Sequence, residues 1–464
     1  MMDSIKSRIH RRVNLDNIRL RRMVYRSNYP ELRFKNIIID GANTQQQAYI
    51  KKEFHKSDNK EFSYEDLKQG YFRLLSDNMI SEIIPHAIYN PEDDTYDLHL
   101  KVKLENNFAV RLGGNISTSN SNQIYLGLSY QDLNYYAKEF VFDGQLGKVY
   151  NNAQFMAKID FSTAIPTSYR FIASISTFDY FKKDKLFSRN DKPAFNQKDE
   201  RFLKLQVGLP FLSSKRAEFG IGIARIEDKY FQKSVIDFGN DKFDNSRYDL
   251  FGGSISFNGS TLNSRQYPTR GYREALIAQI FIGRERFYPG ESATGNDNKE
   301  HHSWLQLSYM KEKYHTMSEH WVLGWYLKAL YASKNFSENY TATMMQAGEF
   351  SPTLHSKLTY NEAFRANQFV GAGIRPIYRL NQMFHLRGEF YGFMPIYPIE
   401  RNSLNKAYYG KAFSKFEYLG EISVVCQLPF GDISAYVNHY SSPRREWNVG
   451  LSIGFQLFNY RFIE

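Results

Sequence analysis

The feature that most constrains this chain is a long succession of segments, from about residue 105 onward, in which apolar and polar residues alternate. In the last segment the alternating apolar residues are Val449, Leu451, Ile453, Phe455 and Leu457. The same alternation occurs over 203–209 and 219–223. Successive side chains of a β-strand point to opposite faces, so each segment places its apolar residues on one face. The pattern predicts many β-strands, each with one apolar face.

The connections between these segments are unequal in length. Short links at 132–134, 380–382 and 429–432 alternate with long polar ones at 182–199, 228–247, 289–300 and 335–361. Short turns at one end and long loops at the other are typical of outer-membrane barrels, in which the long loops face outward. We count about 16 strands between Asn107 and Phe458, an even number as expected for a single-chain bacterial barrel. The sequence therefore predicts a mainly β fold with an antiparallel transmembrane barrel over 105–464.

The composition agrees with a barrel and disfavours membrane helices. Aromatic residues make up 16% of the chain, with 34 Tyr and 37 Phe, and such residues form girdles at both membrane interfaces of a barrel. No run approaches the roughly 18 apolar residues of a membrane helix. The single cysteine, Cys426, excludes an internal disulfide framework and offers no zinc-type spacing, so we interpret it as a packing residue.

The formal net charge of +11 does not indicate a nucleic-acid partner, because the basic residues are spread along the chain except at its start. The N-terminal cluster consists of Lys6, Arg8, Arg11, Arg12, Arg19, Arg21, Arg22 and Arg26. This segment lacks the roughly 7–15-residue apolar core of a secretory signal. We therefore interpret residues 1–31 as a basic linker or the remainder of a longer upstream part that carries the signal.

Residues 32–104 predict a small α+β domain. A strand over 34–39 is followed by a turn at Asp40-Gly41 and a helix over 45–54. Ser63 to Asp66 has the pattern of a helix N-cap, and the apolar residues behind it recur at helical spacing. Two strands, over 82–89 and 96–103, are joined by a turn at 90–94. The predicted order is strand, helix, helix, strand, strand.

This order, with its apolar strand ending in Asp40-Gly41 and its leucine-rich second helix, resembles a polypeptide-transport-associated (POTRA) domain. The resemblance implies a periplasmic module that meets unfolded clients or accessory proteins, partly by pairing a client strand with a sheet edge. The alternative is a small domain that only spaces two others, because a fold alone does not determine function.

One motif within the barrel adds to this resemblance. Its residues are Asn263, Tyr267, Pro268, Thr269, Arg270, Gly271 and Tyr272. The segment resembles the D/N-x-x-x-F/Y-P-T-x-G motif of the bacterial surface antigen family, whose barrels assemble or translocate proteins and carry POTRA domains. The resemblance implies a place before about the ninth strand, and Pro268 with Gly271 favours a turn between two strands there.

The chain also departs from that family. Its members carry a V/I-R-G-F/Y motif on a loop that folds back into the lumen, and the corresponding segment here, 335–361, has no such sequence. Phe364-Arg365-Ala366-Asn367 is the nearest candidate. Arg270-Gly271-Tyr272 has matching letters, but the preceding Pro-Thr favours a turn. Arg387 and Glu389 share one strand face and form a candidate lumenal pair, which we interpret as structural.

Within the family, the chain most resembles the C-terminal half of patatin-like phospholipases of type V secretion. The features that carry this resemblance are the single POTRA-like unit, the basic segment at 21–26 and the C-terminal sequence Phe455-Gln456-Leu457-Phe458. The resemblance implies a barrel for protein translocation or membrane insertion, with the N-terminal domain in the periplasm. Its implied partners are outer-membrane lipid, lipopolysaccharide and a polypeptide client or upstream lipase domain. Two alternatives remain: a phospholipase whose catalytic domain lies upstream, and a passive porin, which the POTRA-like domain disfavours.

Two short sequences of the chain match the motifs that carry the catalytic Ser and Asp of a patatin-like lipase. Gly450-Leu451-Ser452-Ile453-Gly454 spells G-x-S-x-G, and Asp40-Gly41-Ala42 spells D-G-A. A nucleophile elbow needs a strand, a tight turn and a helix, whereas Ser452 lies within an alternating strand. The adjacent His301 and His302 point to opposite faces of a strand and do not share a metal there. We predict no catalytic residues, no metal and no cofactor in this chain.

Overall fold

A computed structural model describes residues 15–27, 32–54, 61–75, 77, 79–92, 94–119, 122–161, 165–180, 196–211, 215–232, 242–290, 297–442 and 447–464. The chain divides into two compact units, residues 1–105 with 133–135 and residues 106–132 with 136–464. Lys6, Arg8, Arg11 and Arg12 of the basic cluster lie outside the described residues, as does part of the turn predicted at 90–94. No helix among the described residues is long and apolar enough to cross a membrane.

The first unit contains a four-stranded sheet in the order β2-β1-β4-β3. Its elements are α1 (Leu15–Ser27), β1 (Arg33–Asp40), α2 (Thr44–Phe54), β2 (Phe62–Ser63), α3 (Tyr64–Leu75), β3 (Ile80–Asn90) and β4 (Thr95–Leu104). β1 and β4 are parallel, while β3 and β4 are antiparallel. The predicted order of strand, helix, helix, strand, strand is confirmed, and the short β2 and the helix α1 are additions that the sequence pattern did not reveal.

Local sequence signals explain how this unit forms. The start of α3 is a reciprocal cap: Asp66 N donates to Ser63 Oγ (3.3 Å) and Ser63 N donates to Asp66 Oδ2 (3.2 Å). Gly41 has φ +89°, and a Cβ there would lie 2.1 Å from Val102 O. The turn after β1 therefore requires glycine. Ile50, Leu74, Leu98 and Leu100 are at most 1% exposed and form part of the core.

The second unit is a closed barrel of 16 antiparallel strands, as the sequence predicts. In chain order the strands are β5 (Phe108–Ser117), β6 (Gln123–Leu133), β7 (Ala137–Gly147), β8 (Tyr150–Phe161), β9 (Thr167–Tyr180), β10 (Asn196–Phe211), β11 (Lys215–Tyr230), β12 (Asp244–Ser260), β13 (Gly271–Tyr288), β14 (Asn298–Thr316), β15 (Trp321–Ala332), β18 (Gln368–Arg379), β19 (Phe384–Pro395), β22 (Glu417–Cys426), β23 (Asp432–Tyr440) and β24 (Trp447–Gly454). The connection between β15 and β18 contains α4 (Tyr340–Gln346) and the strand pair β16 (Gly348–Glu349) and β17 (Arg365–Ala366). The connection between β19 and β22 contains β20 (Ile399–Arg401) and β21 (Ala407–Tyr409).

The predicted alternation separates an outward apolar face from the lumen. On β10, Leu205 is 55% exposed and Lys204 only 5%. Three of the four long connections are shorter than the sequence predicts, because β10 already begins at Asn196, β12 at Asp244 and β14 at Asn298. The fourth, predicted at 335–361, is longer and runs over 333–367 between β15 and β18. Residues 181–195, 233–241 and 291–296 of these connections lie outside the described residues.

The predicted continuation of the last strand to Phe458 is wrong. β24 ends at Gly454, which has φ +115°. A Cβ on Gly454 would lie 2.1 Å from Gly114 O, so only glycine allows the chain to turn so close to β5. Residues 455–464, called the tail below, leave the sheet and pack in the lumen, where Phe462 is 2% exposed.

Candidate functional site

The motif Asn263 to Gly271 forms the turn between β12 and β13, the eighth and ninth strands of the barrel. Asn263 Oδ1 accepts from the backbone N–H groups of Thr269 and Arg270, both at 3.0 Å. The amide of Asn263 also donates to Thr269 Oγ1 at 3.2 Å. These contacts give the motif's spacing a physical reason, because one side chain closes a loop of six residues. Arg270 is exposed, and Tyr272 N donates to Thr261 Oγ1 (3.1 Å) at the start of β13.

The tip of this turn is buried against the inner wall. Tyr267 is 6% exposed, has φ +47°, and its hydroxyl donates to Ser434 Oγ of β23 at 2.9 Å. Burial raises the pKa of the Tyr267 phenol above its ordinary value, so the group stays a neutral donor. Pro268 O accepts from Arg387 Nη1 of β19 at 2.8 Å. The motif therefore joins two strands and also contacts strands far along the barrel.

Arg387 and Glu389 belong to a buried ionic cluster on the inner wall, together with Arg375 and Glu312. All four residues are at most 5% exposed. Arg387 Nε donates to Glu389, and Arg375 Nη1 donates to Glu312. Arg375 Nε lies 3.5 Å from Glu389 Oε2. Removing one member of such a set would leave a buried charge uncompensated.

The same cluster holds a segment of the long connection between β15 and β18. Arg375 Nη2 donates to Pro352 O at 3.1 Å. Because Arg387 holds Pro268 in the same way, two arginines of neighbouring strands fasten two inward-folded segments to one wall. The sequence indicated the Arg387 and Glu389 pair by strand parity, but Arg375 and Glu312 lie on other strands and carried no comparable signal.

Phe364 and Arg365 lie within that connection and are buried in the lumen. Phe364 is 3% exposed, and its ring centroid is 5.7 Å from that of Phe393 on β19. Arg365 Nη2 donates to Glu349 Oε2 at 3.0 Å, and Nη1 donates to Ala347 O at 3.2 Å. These contacts fold the connection onto itself, since Arg365 and Glu349 are partners in the β16/β17 pair.

The seam between the first and last barrel strands is short. β24 pairs with β23 along its length, from Trp447 opposite His439 to Gly454 opposite Asp432. Among the described residues, β24 pairs with β5 at Ser452/Ser117, Ile453/Ile116 and Gly454/Asn115. One backbone hydrogen bond flanks these positions on each side, from Thr118 N to Leu451 O (2.9 Å) and from Phe455 N to Gly114 O (2.7 Å).

The β5 segment 108–113 has no backbone partner on the β24 side among the described residues. Its residues are exposed on both faces, and Leu112 reaches 80% exposure. The seam thus leaves half of an apolar strand edge open.

The tail is the part of the lumen that sequence reasoning missed. The alternation of Val449 to Leu457 suggested one uninterrupted strand. The one available signal was Gly454, since a glycine inside a strand pattern indicates a bulge or a close backbone approach.

Ser452 has no catalytic neighbourhood in the described residues. It lies in β24 opposite Ser434, and its Oγ is hydrogen-bonded to Asn115 Oδ1 at 2.6 Å. Asp40 belongs to the other compact unit. We predict that Ser452→Ala will leave the rate of fluorogenic ester hydrolysis by the purified barrel at the background level of the parent. A robust hydrolysis by the parent that is lost in the folded variant would contradict this.

The structure brings His302 together with two carboxylates. His302 Nε2 lies 2.9 Å from Glu285 Oε2, and Glu300 adds a third ligand atom within 4.8 Å of both. His301 is exposed and His302 buried, in agreement with their opposite strand faces. Tyr248 OH donates to Glu285 Oε1 at 2.9 Å, so hydrogen bonds within the wall already account for the buried carboxylate.

No family model matches the chain, and no curated protein matches it. Among solved structures, BamA from Haemophilus ducreyi lacking POTRA domains 1–3 is similar, with a TM-score of 0.59 and 13% sequence identity over 91% of this chain and 84% of that one. CdiB from Acinetobacter baumannii is similar with a TM-score of 0.53 and 8% identity over 91% of this chain and 74% of that one.

CdiB from Escherichia coli is similar with a TM-score of 0.50 and 11% identity over 92% of this chain and 77% of that one. At these identities the similarity shows a shared fold.

Proposed function

We propose that this chain is an outer-membrane barrel that inserts or translocates polypeptides, with its N-terminal unit in the periplasm. The observation that carries the proposal is the open edge of β5 at 108–113. An unpaired strand edge presents free N–H and C=O groups and pairs readily with another extended chain. Most barrels have no such edge, because closure pairs every strand. The fold shared with BamA and CdiB supports the proposal.

The exposure of this edge suits an incoming strand. Phe108 is 58% exposed and Leu112 is 80% exposed on the outward face. A client strand added here would satisfy its backbone groups within the membrane, where unpaired groups cost several kcal/mol each, roughly. We infer that lipid, with lipopolysaccharide in the outer leaflet, surrounds the outward face and that the client enters at the seam.

The first unit supports a role in handling clients. Its edge strand β3 carries exposed Ile84, Ile88 and Tyr89, and Pro85 lies within it. Proline on an edge strand limits uncontrolled pairing. We propose that this unit is POTRA-like and guides extended segments in the periplasm, and that the domain spans residues 32–104.

The filled lumen argues against a passive porin. The turn around Tyr267, the connection around Phe364 and the tail all pack inside the barrel. The finer proposal is that the chain is the transporter half of a patatin-type autotransporter, with a lipase part upstream as the alternative function. The nucleotide sequence upstream of Met1 distinguishes these two. We propose that the chain itself has no catalytic function.

The proposed function requires the seam to open. In a Cys426→Ser background, Ile116→Cys with Ile453→Cys would place a disulfide across a paired position of the seam. We expect oxidation to slow, by at least about tenfold, the rate at which liposomes containing this protein fold a urea-unfolded eight-stranded outer-membrane barrel. Reduction should restore the rate. The readout is the heat-modifiable migration of the client on a gel.

A matched disulfide controls for the effect of cross-linking alone. Ala435→Cys with Leu451→Cys joins β23 and β24 at a paired position away from the seam. Oxidation of this variant should leave the client's folding rate unchanged. A seam-locked barrel that folds the client as fast as the reduced one would contradict the proposed function.

A further inference from the structure

The tail crosses the inner wall of the barrel and is bound along its whole length. At its beginning, Leu457 N donates to Gln123 Oε1 of β6 at 3.3 Å. At its end, Glu464 O accepts from Gln306 Nε2 of β14 at 2.6 Å. In eight residues the chain thus passes from the second to the tenth strand of the barrel. It runs across the strands, so it adds no strand to the sheet.

Most of the wall's hydrogen bonds to the tail go to its main chain. Phe462 N donates to Glu200 Oε1 (2.7 Å), while Phe462 O accepts from Gln279 Nε2 (3.1 Å). The same Gln279 accepts from Glu464 N at 3.0 Å. Gln266 Nε2 donates to the main-chain oxygen of Gln456 at 3.0 Å. Gln266 belongs to the inward turn between β12 and β13, and the other two side chains belong to barrel strands. Together they present donors and acceptors to a main chain as the edge of a strand does, and contacts of this kind recognise extended backbone whatever its sequence.

One side chain of the tail has a pocket of its own. Gly222 and Gly252 are direct partners on β11 and β12 and leave a gap in the wall. Phe462 fills this gap: a Cβ on Gly222 would lie 2.9 Å from its ring, and a Cβ on Gly252 would lie 3.0 Å from it. The rings of Phe202 and Phe281 lie 5.9 and 5.7 Å from the Phe462 ring. The pocket selects an aromatic side chain.

The tail residue two positions after Phe462 is paired with a buried cation of the wall. Lys204 Nζ lies 3.5 Å from Glu464 Oε1, and Lys204 is 5% exposed. The wall therefore offers, in order, a backbone clamp, an aromatic pocket and a buried ammonium group. With the tail bound, Glu200, Gln279 and Gln306 are at most 6% exposed, so their hydrogen bonds to the tail are shielded from water.

We propose that this wall is a binding track for extended polypeptide and that the tail is its resident occupant. The segments it takes carry an aromatic residue followed two positions later by an acidic one. The identification of such segments as passing clients rests on the proposed function; the binding itself does not. A client segment that enters the lumen competes with the tail for the same side chains.

The test uses the full chain in detergent and a labelled peptide with the tail sequence FQLFNYRFIE as the probe, followed by fluorescence anisotropy. Phe462→Ala with Glu464→Gln weakens the resident tail without changing the wall. We expect this tail variant to bind the peptide at least about tenfold more tightly than the parent, because burial of one phenylalanine alone accounts for such a factor. A peptide in which Asp replaces the phenylalanine that corresponds to Phe462 should not bind.

Two neighbouring glycines provide the matched control. In the tail variant, Gly252→Leu fills the pocket, whereas Gly253→Leu points outward, where a Cβ would meet only Ile280 Cγ2 at 3.4 Å. Peptide binding should be lost in the first and kept in the second. If Gly252→Leu does not give a heat-modifiable barrel, Lys204→Met serves instead and should weaken binding severalfold.

Equal binding by the parent and the tail variant, or by the Gly252 and Gly253 variants, would overturn the proposal. The tail would then be a fixed part of the lumen. The seam disulfide test measures a different surface, so its outcome is independent of this one.

Discussion

Replacing Gly271 with valine should leave little or no folded barrel. Gly271 begins β13 with φ +93°, and a Cβ there would lie 2.1 Å from Thr261 O and 2.6 Å from Thr261 C. Both are backbone atoms of the same turn, and Thr261 N donates to Tyr272 O at 2.8 Å. The turn has no room to yield, and a β-branched residue rarely adopts this φ. The heat-modifiable fraction after refolding in detergent measures the effect.

Gly253→Val is the matched control, since a Cβ there has ordinary space. It should refold as the parent does. Gly271→Val that folds normally but no longer handles a client would instead place Arg270-Gly271-Tyr272 in a functional loop. Normal folding with normal client handling would show that the motif imposes no local constraint.

Arg387→Met should lower the free energy of unfolding by about 3–5 kcal/mol, the usual cost of removing one partner of a buried ion pair. The change leaves Arg375 as the one cation beside the buried Glu389 among the described residues, with Tyr391 OH as a further hydrogen-bond donor, and it removes the donor to Pro268 O. Guanidinium unfolding in detergent, followed by tryptophan fluorescence, measures the loss.

Two comparisons show whether buried charge is the cause. Adding Glu389→Gln to Arg387→Met should recover part of the stability, because the uncompensated charge is gone. Arg225→Met removes an exposed pair with Asp249 (2.7 Å, side chains 46% and 37% exposed) and should cost less than about 1 kcal/mol. A similar loss in both single variants would contradict the assignment of a special role to the cluster.

The fold was largely predictable because strand alternation is a local signal. Leu203 and Leu205 lie on the outward face and Lys204 in the lumen, as period-two alternation requires. The cap at Ser63 was also local, since two residues three positions apart supply both partners. Such features depend little on the rest of the chain.

The contents of the lumen were not predictable in the same way. Glu312 and Arg375 lie 63 positions apart in the sequence, and Gln279 and Phe462 lie 183 apart. The alternation along a strand predicts that Glu312, Arg375 and Gln279 face the lumen, but it does not predict which segment of the chain will contact them. The end of β24 depended on Gly454, whose close approach to Gly114 arises only when the barrel closes.

The short pairing between β24 and β5 gives an incomplete account of how firmly the barrel is closed. The tail continues directly from Gly454, and Phe455 N donates to Gly114 O at 2.7 Å. Further on, Gln456 and Leu457 are bound by Gln266 and Gln123. Any force that separates β24 from β5 is therefore transmitted to a peptide that is bound inside the barrel from β6 to β14. The mechanical strength of the closure thus resides partly outside the sheet, and the energy barrier to opening the seam includes the cost of releasing the tail.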